Sequence, residues 1–516
     1  MLDERYYMYR TAYHLLTKKQ YDVLYMDGER EEVWMEKSAD GTSNIIRLSL
    51  KGFGWKNQLM KDMEETAGQM IQMKRTFPGK HVKIHHVYIS TYSPVDDWEE
   101  MNRPVMLKGR RRLLDMFAYN INPAGGGEEE SRLQRAIGVK SISDDEPFSL
   151  REKESRSQFY LHFLMKELDR NRRKVDELFS YGTPIFTYLL LLLNISCFLV
   201  VEFYGDSTSI NDLIKYGAKY NPAVIDGEWW RILTSMFLHI GFLHLFMNML
   251  AMYYIGSLTE RIYGNSRFLA IYMLAGIGGG LASFAFTVNV SAGASGALFG
   301  LFGALLFFGV PHKKVFFQTI GMNIVILVGI NIVFGLAVPQ IDNGAHMGGL
   351  IAGFIAAAIV YLPKERKMLI QVLAMSTYLF MAVGLGIYGT EHNLESQSYH
   401  LLKLEEALAA NDYETVIEAA TNALELDGEL DHLLLFQRSY AYMEKGKIDL
   451  AKKDLEESIE AEEPVPEAFY NLALIYVKEG RMEEAEKLAE EAYDQRPENE
   501  DFAKLYNRLT GDRDEE

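Results

Sequence analysis

The sequence predicts a multi-domain membrane protein, an α-helical bundle of transmembrane helices between two soluble domains. Three observations carry this. The 516 residues have a mean hydropathy near zero, yet the stretch 184–389 is mostly apolar and both flanks are charged. The net charge of −18 is equally uneven: from residue 391 onward there are 34 acidic and 13 basic residues, a net of −21, and the rest of the chain carries +3. A third feature is a repeat of 34 residues near the C-terminus. Length alone suits about three domains.

Residues 1–176 read as an N-terminal α+β domain. "YDVLYM", "EEVWMEK", "NIIRLSLK" and "HVKIHHVYISTY" have strand composition, and a helix is expected over 55–77. "PAGGGEEESR" at 123–132 is expected to be an exposed loop. His85 and His86, with Asp96 and Asp97 beyond, have metal-ligating chemistry, but adjacent strand residues point to opposite faces. They are expected to be core, and no metal or cofactor is expected anywhere in the chain. The N-terminal "MLDERYYMYR" lacks a signal-peptide pattern, so this domain is expected to be complete before the membrane begins.

Seven apolar stretches follow, at 184–204, 237–257, 268–288, 295–310, 315–337, 345–361 and 368–388. Most approach the roughly 20 residues a bilayer core demands. The fourth and sixth are shorter, which suits helices surrounded by protein. "RNRRK" at 170–174, Arg261 and Arg267, "HKK" at 312–314 and "KERK" at 364–367 mark alternate loops as cytoplasmic. Loops 289–294 and 340–344 have no lysine or arginine. The N-terminus is therefore expected inside, and an odd number of spans puts the acidic tail outside. The only cysteine, Cys197, lies within an apolar run, so no intrachain disulfide can form. Neither flank has the basic stripe that nucleic-acid binding requires.

In the tail, Tyr442, Gly446 and Ala451 recur 34 residues later as Tyr476, Gly480 and Ala485. An earlier copy, "LEEALAANDYETVIEAATNALEL", fits with one extra residue. This helix-turn-helix spacing resembles the tetratricopeptide repeat, so 391–516 is expected to be an acidic α-helical binding module for polypeptides.

Polar residues inside the spans carry the chemistry. His244 and Asn248 are four apart on the second stretch, Ser295 opens the fourth and His346 lies near the start of the sixth. Each alone would be interhelical glue. Together they lie at one depth, a little below the outer surface. A nucleophile, a base and two donors at one level are the parts of an acyl-transfer site. Gly296, Gly300 and Gly303 give the fourth stretch a smooth face and Gly349 and Gly353 lie four apart on the sixth, small residues that would let two backbones approach and bring an imidazole to a serine. Ser295 also sits at a helix N-terminus, where free amides favour negative charge.

The pieces "GASGALFG" around Ser295, "HLFMN" from His244, "AHMGGLIAG" at 345–353, "EWWR" ending at Arg231 and "ERIYG" from Glu260 closely resemble the rhomboid family of intramembrane serine proteases. The resemblance covers about residues 180–362. It implies a rhomboid-like six-helix bundle over 177–362, with a seventh helix over 363–390 added to it. It further implies Ser295 as nucleophile and His346 as base, a dyad without an aspartate. His244, Asn248 and the Ser295 amide would form the oxyanion hole. Phe299 stands where some members stack a tyrosine on the histidine. Trp230 and Arg231 would be structural, and Asp342 a solvated loop acid outside the dyad.

The expected function is intramembrane cleavage of transmembrane protein substrates in a bacterial plasma membrane, in contact with lipid and without a cofactor. The alternative is a catalytically idle relative that binds membrane proteins. A transporter is disfavoured, because no inverted repeat and no intramembrane acid–base pair is present.

Overall fold

The strand-rich sequence near the N-terminus forms one mixed sheet. In the computed structural model, the described residues are 2–39, 41–72, 81–98, 105–109, 112–124, 127–139, 148–426, 428–461 and 464–511. They pack as two compact units, Met1–Gly182 with Leu306–Leu327, and Thr183–Leu305 with Val328–Glu516.

The first unit opens with α1 (Leu2–Lys19), whose Asp3 and Glu4 at one end and Lys18 and Lys19 at the other complement the helix dipole. Strands β1 (Asp22–Asp27), β2 (Glu32–Ala39) and β3 (Thr42–Ser49) form an antiparallel meander. Helix α2 (Lys56–Gln72) then crosses over to β4 (His81–Ile89), parallel to β3. Strands β5 (Val105–Gly109) and β6 (Arg112–Ile121) complete the order β1-β2-β3-β4-β6-β5. Both faces are covered. Val87, Ile89 and Tyr119 pack with Met8, Ala12 and Leu15 of α1 and with Leu164 of α4 (Leu150–Leu178). Ile84, Tyr88 and Ala118 pack against Leu59 and Met63 of α2. A Ser149–Glu152 capping box starts α4.

One expectation for this domain changes. The stretch 123–132 is not wholly loop, because α3 (Glu128–Ile137) begins inside it; Glu128, Glu129 and Glu130 occupy its first turn, where they favour a helix. The two histidines do point to opposite faces, and both are buried. His85 stacks on Phe117 and meets the Tyr119 hydroxyl at 3.1 Å. Neither ring nitrogen of His86 has a hydrogen-bond partner among the described residues.

The apolar stretches become helices. Among the described residues five could cross a membrane by length and composition: α5 (Ile185–Tyr204), Gly241–Tyr263, α11 (Asn265–Phe286), α15 (Asn343–Val360) and α16 (Met368–Leu394). The second of these runs as α9 (Gly241–Ala251), a π-helical turn at Met252–Gly256 and α10 (Ser257–Tyr263). The stretch 315–337 is not one straight rod. It breaks into α13 (Lys313–Thr319) and α14 (Gly321–Ala337), bent by 71°; the pair makes a sixth span if counted as one. The Phe316 ring fills the space beside Gly321 at that break, where a side chain would collide with it. Helix α12 (Ser295–Phe308) is shorter, at 14 residues. Its Ala297, Leu301, Ala304, Leu305 and Phe308 are fully enclosed, as a helix wrapped in protein should be. By contrast Leu192, Leu199, Phe334 and Phe380 lie exposed, an apolar surface suited to lipid.

Short helices α6 (Ile210–Lys215), α7 (Asn221–Ile225) and α8 (Arg231–Thr234) occupy the long connection after α5. After α16 come three helix pairs: α17 (Gln397–Ala409) with α18 (Tyr413–Ala423), α19 (Asp431–Glu444) with α20 (Ile448–Ser458), and α21 (Pro466–Glu479) with α22 (Met482–Gln495). Helix α23 (Glu500–Gly511) closes the stack. Gly446 and Gly480 turn between paired helices at φ 71° and 78°, a conformation that favours glycine. The small Ala451 and Ala485 are buried where helices cross.

Candidate active site

Glycines on three helices set the geometry. A side chain on Gly349 would overlap the Gly296 carbonyl, and one on Gly353 would overlap Gly300. One on Gly279 would lie 2.8 Å from the Ala345 carbonyl oxygen. Helices α11, α12 and α15 therefore touch backbone to backbone. This contact delivers His346 to Ser295, with Nε2 and Oγ 2.9 Å apart. Both residues are only half-buried, so the pair is not sealed.

The imidazole is oriented by packing. Its ring lies on Phe299, with centroids 4.1 Å apart and planes 12° from parallel. Its Nδ1 is buried and has no hydrogen-bond partner among the described residues. Asp342 does not supply one. Nor is Asp342 the solvated loop acid expected from sequence: it is half-buried and caps α15. One carboxylate oxygen accepts from the Ala345 amide at 2.8 Å and the Thr287 hydroxyl at 3.1 Å; the other accepts from the Ser283 hydroxyl. The cap is needed because the first amides of α15 have no partner within their own helix.

The two further expected residues lie on α9. His244 sits against the turn before the serine. A side chain on Gly293 would meet His244 Cε1 at 2.8 Å and Nε2 at 3.0 Å, and Gly293 has φ 149°. Glycine is required there on both counts. The Ile240 amide donates to His244 Nδ1 at 3.4 Å, which leaves Nε2 as the protonated donor. Asn248 is buried, and its amide donates to the His244 carbonyl at 2.8 Å, back along its own helix. No hydrogen bond joins either residue directly to Ser295 among the described residues.

Residues that sequence reasoning passed over fix the strand of chain ahead of Ser295. The Ala294 amide reaches His239 Nε2 at 3.4 Å, and the Gly293 amide reaches the Ser235 carbonyl at 2.9 Å. Lys219 and Ser291 pair backbone to backbone, at 2.9 and 3.0 Å. The fully buried Lys219 ammonium donates to the Thr287 and Asn289 carbonyls, both at 2.8 Å. Burial pulls its pKa down to about 8, against the opposing pull of Asp342. Burial would raise the Asp342 carboxyl, but Lys219 and the Ser283 hydroxyl hold it below the usual range. A lone lysine in a mixed loop gives no periodic signal, which is why it was missed.

Arg231 is structural. It is buried, its guanidinium donates to the Ile214 carbonyl at 2.5 Å and the Ala218 carbonyl at 3.2 Å, and it lies 4.8 Å from the Trp230 ring centre. The fully buried Glu260 accepts from the Phe186 and Thr187 amides at 2.9 and 2.8 Å, capping α5.

The Rhomboid domain profile matches residues 226–363, and a tetratricopeptide repeat profile matches 436–500. Rhomboid protease GluP of Bacillus subtilis is 34% identical over 478 residues, 92% of each chain. The chain belongs to the rhomboid family. This rhomboid is also 30% identical over 256 residues to Rhomboid protease AarA of Providencia stuartii, covering 43% of this chain and 90% of that one. RHOMBOID-like protein 5 of Arabidopsis thaliana is 38% identical over 162 residues, 30% of this chain and 52% of its own. This rhomboid is a multi-pass membrane protein and a serine protease of the rhomboid type, with tetratricopeptide repeats in its C-terminal part.

Proposed function

We propose that Ser295 and His346 form the catalytic dyad of an intramembrane endopeptidase. The observation that carries the reading is the 2.9 Å contact between His346 Nε2 and Ser295 Oγ. His346 takes the hydroxyl proton as Ser295 Oγ bonds to the scissile carbonyl carbon. Negative charge then develops on the carbonyl oxygen. The Ser295 amide, His244 Nε2 and Asn248 Nδ2 are the donors that receive it, with Asn248 turning away from its own helix to do so. His346 returns the proton to the leaving amine as the peptide bond breaks. A water molecule, deprotonated by the same imidazole, then bonds to the acyl carbon; the ester bond to Ser295 breaks, His346 returns that proton to Ser295 Oγ, and the acyl part leaves as a carboxylic acid. The ring suits both roles because it is stacked but untethered at Nδ1.

Substrates in this reading are membrane proteins whose transmembrane helix unwinds near its outer end, since a carbonyl bonded within a helix is closed to attack. The reading keeps residues 1–176 cytoplasmic, 177–362 as the six-helix protease core and 363–390 as a seventh span. It places 391–516 outside a bacterial plasma membrane as a module for polypeptides. Positive charge at 170–174, 312–314 and 364–367 supports that orientation.

The test uses a serine-reactive fluorophosphonate and a reporter transmembrane substrate in detergent. Wild type is expected to be labelled and to cleave; Ser295→Ala is expected to do neither, and His346→Ala to lose cleavage. Full cleavage by Ser295→Ala sinks the assignment. An unlabelled wild type that still binds membrane proteins points to the idle relative.

A further inference from the structure

Eight residues separate the end of α11 at Phe286 from Ser295, and their hydrogen bonds lead out of the segment. Lys219 holds the middle of it twice, by backbone pairing with Ser291 and by its ammonium on the Thr287 and Asn289 carbonyls. Asn221 adds a third donor, its amide reaching the Thr287 carbonyl at 3.2 Å. The other side of Thr287 faces the opposite charge: its hydroxyl donates to Asp342, the cap of the helix that carries His346. Thr287 is thus shared, its carbonyl bound by a buried cation and its hydroxyl by a carboxylate.

A buried ammonium is a costly way to fill space, because it surrenders its hydration for two carbonyls and one distant counter-charge. A methionine would fill the same volume without that loss. What a methionine cannot do is fix two carbonyl oxygens in direction. We infer that Lys219 is a positioning residue for proteolysis: with Asp342, it holds the segment ahead of Ser295 in register with the helix bearing His346. Arg231 extends the arrangement, since its guanidinium grips the Ala218 carbonyl next to Lys219.

The inference rests on the Ser295–His346 reading, and the experiment separates the two. The full chain in detergent is assayed for kcat and KM on a reporter substrate, for melting temperature, and for fluorophosphonate labelling rate per folded enzyme. Lys219→Met is expected to lower kcat and labelling rate about 10- to 100-fold, the scale of an ångström-sized misplacement. KM should stay within about twofold, as binding surfaces are untouched. Combining Lys219→Met with Asp342→Asn should cost less than the two separate losses multiplied, because both act on Thr287.

A Lys219→Met enzyme that labels within about twofold of wild type, whatever its melting temperature, overturns the inference. If Lys219→Met gives no folded enzyme, Lys219→Gln carries the same test with one donor kept. Failure of both to fold assigns Lys219 to folding alone and also overturns it. A Ser295→Ala enzyme that still cleaves removes the dyad itself, a different failure.

Discussion

His346 lies face to face on Phe299, 4.1 Å between ring centres, and no acid among the described residues bonds its buried Nδ1. In the proposed dyad, stacking would do the orienting that a carboxylate does in a triad. Such ring pairs contribute about 0.5–1.5 kcal/mol. Phe299→Ala should lower kcat by up to about tenfold with little change in KM, and Phe299→Tyr should stay near wild type. Steady-state cleavage in detergent checks this, and unchanged kcat in Phe299→Ala would remove the orienting role.

The second prediction concerns Gly349 and Gly353. An added methyl on either would overlap the Gly296 or Gly300 backbone, which no rotamer change relieves. Gly349→Ala should separate α12 from α15 and lower activity about 100-fold, with a lower melting temperature. Gly384 and Gly386 on α16 have open space around them, so alanine there should leave activity intact. Equal effects at both places would mean the glycines matter only for flexibility.

How much of this could be read from sequence follows from the kind of signal each part gives. Apolar length marks a span whatever its neighbours do, so the stretches at 184–204, 268–288 and 368–388 were legible, although the helices end at Tyr204, Phe286 and Leu394. The approach of Ser295 to His346 was legible because hydroxyl and imidazole are out of place in lipid and glycine betrays the close contact. The bend at Phe316 was not, since it depends on a ring meeting Gly321 from a different turn. Lys219 was hidden because a lysine in a loop is ordinarily solvated, and only the fold buries it. Strand β6 and helices α1 and α4 were missed because aromatic and charged residues alternate in them without a clean period.

A buried charge cluster gives the third prediction. Arg47, on β3, donates to Glu32 at 2.5 Å and to Asp62, which also accepts from Lys51 at 2.7 Å and the Tyr88 hydroxyl at 2.9 Å. Burial would raise the Asp62 carboxyl, yet Arg47 and Lys51 hold it well below the usual range. Arg47→Met leaves two buried carboxylates short of their main partner, at a cost of about 3–5 kcal/mol. The urea midpoint of the sheet domain, followed by proteolysis of β4 in the full chain, should fall accordingly. A midpoint within error of wild type would show that solvent reaches the cluster.

The same readout tests acid sensitivity. Burial lowers His85 to about 4 and His86 to about 3, from an unfolded value near 6.5. Between those values the unfolded chain binds more protons than the folded one, so stability rises with pH. This contribution is complete above pH ~6.5 and is lost as pH falls through ~4 and ~3, a loss on the order of a few kcal/mol. His86→Phe should flatten its share of the pH dependence. A midpoint that does not move from pH 7 to pH 4.5 would mean the rings protonate in place.

The last prediction lies in the repeats. Gly446 and Gly480 turn their helix pairs in the left-handed region, and the first pair does the same with Asn411 at φ 57°. Asn411 precedes Gly446 by 35 residues, which accounts for the one extra residue in the earliest copy. The turn is intact there: the Asn411 and Asp412 amides reach the Leu408 and Ala407 carbonyls at 3.0 and 2.9 Å, as those of Gly446 and Lys447 reach Met443 and Tyr442. Asparagine tolerates this conformation better than other side chains, and glycine better still. Asn411→Gly should therefore leave the repeat domain as stable or slightly more so, whereas Asn411→Ala should cost about 1 kcal/mol or more. Thermal melting of the full chain, with local hydrogen exchange in α17 and α18, separates the two. If alanine proves as stable as glycine, the first pair does not need its left-handed turn.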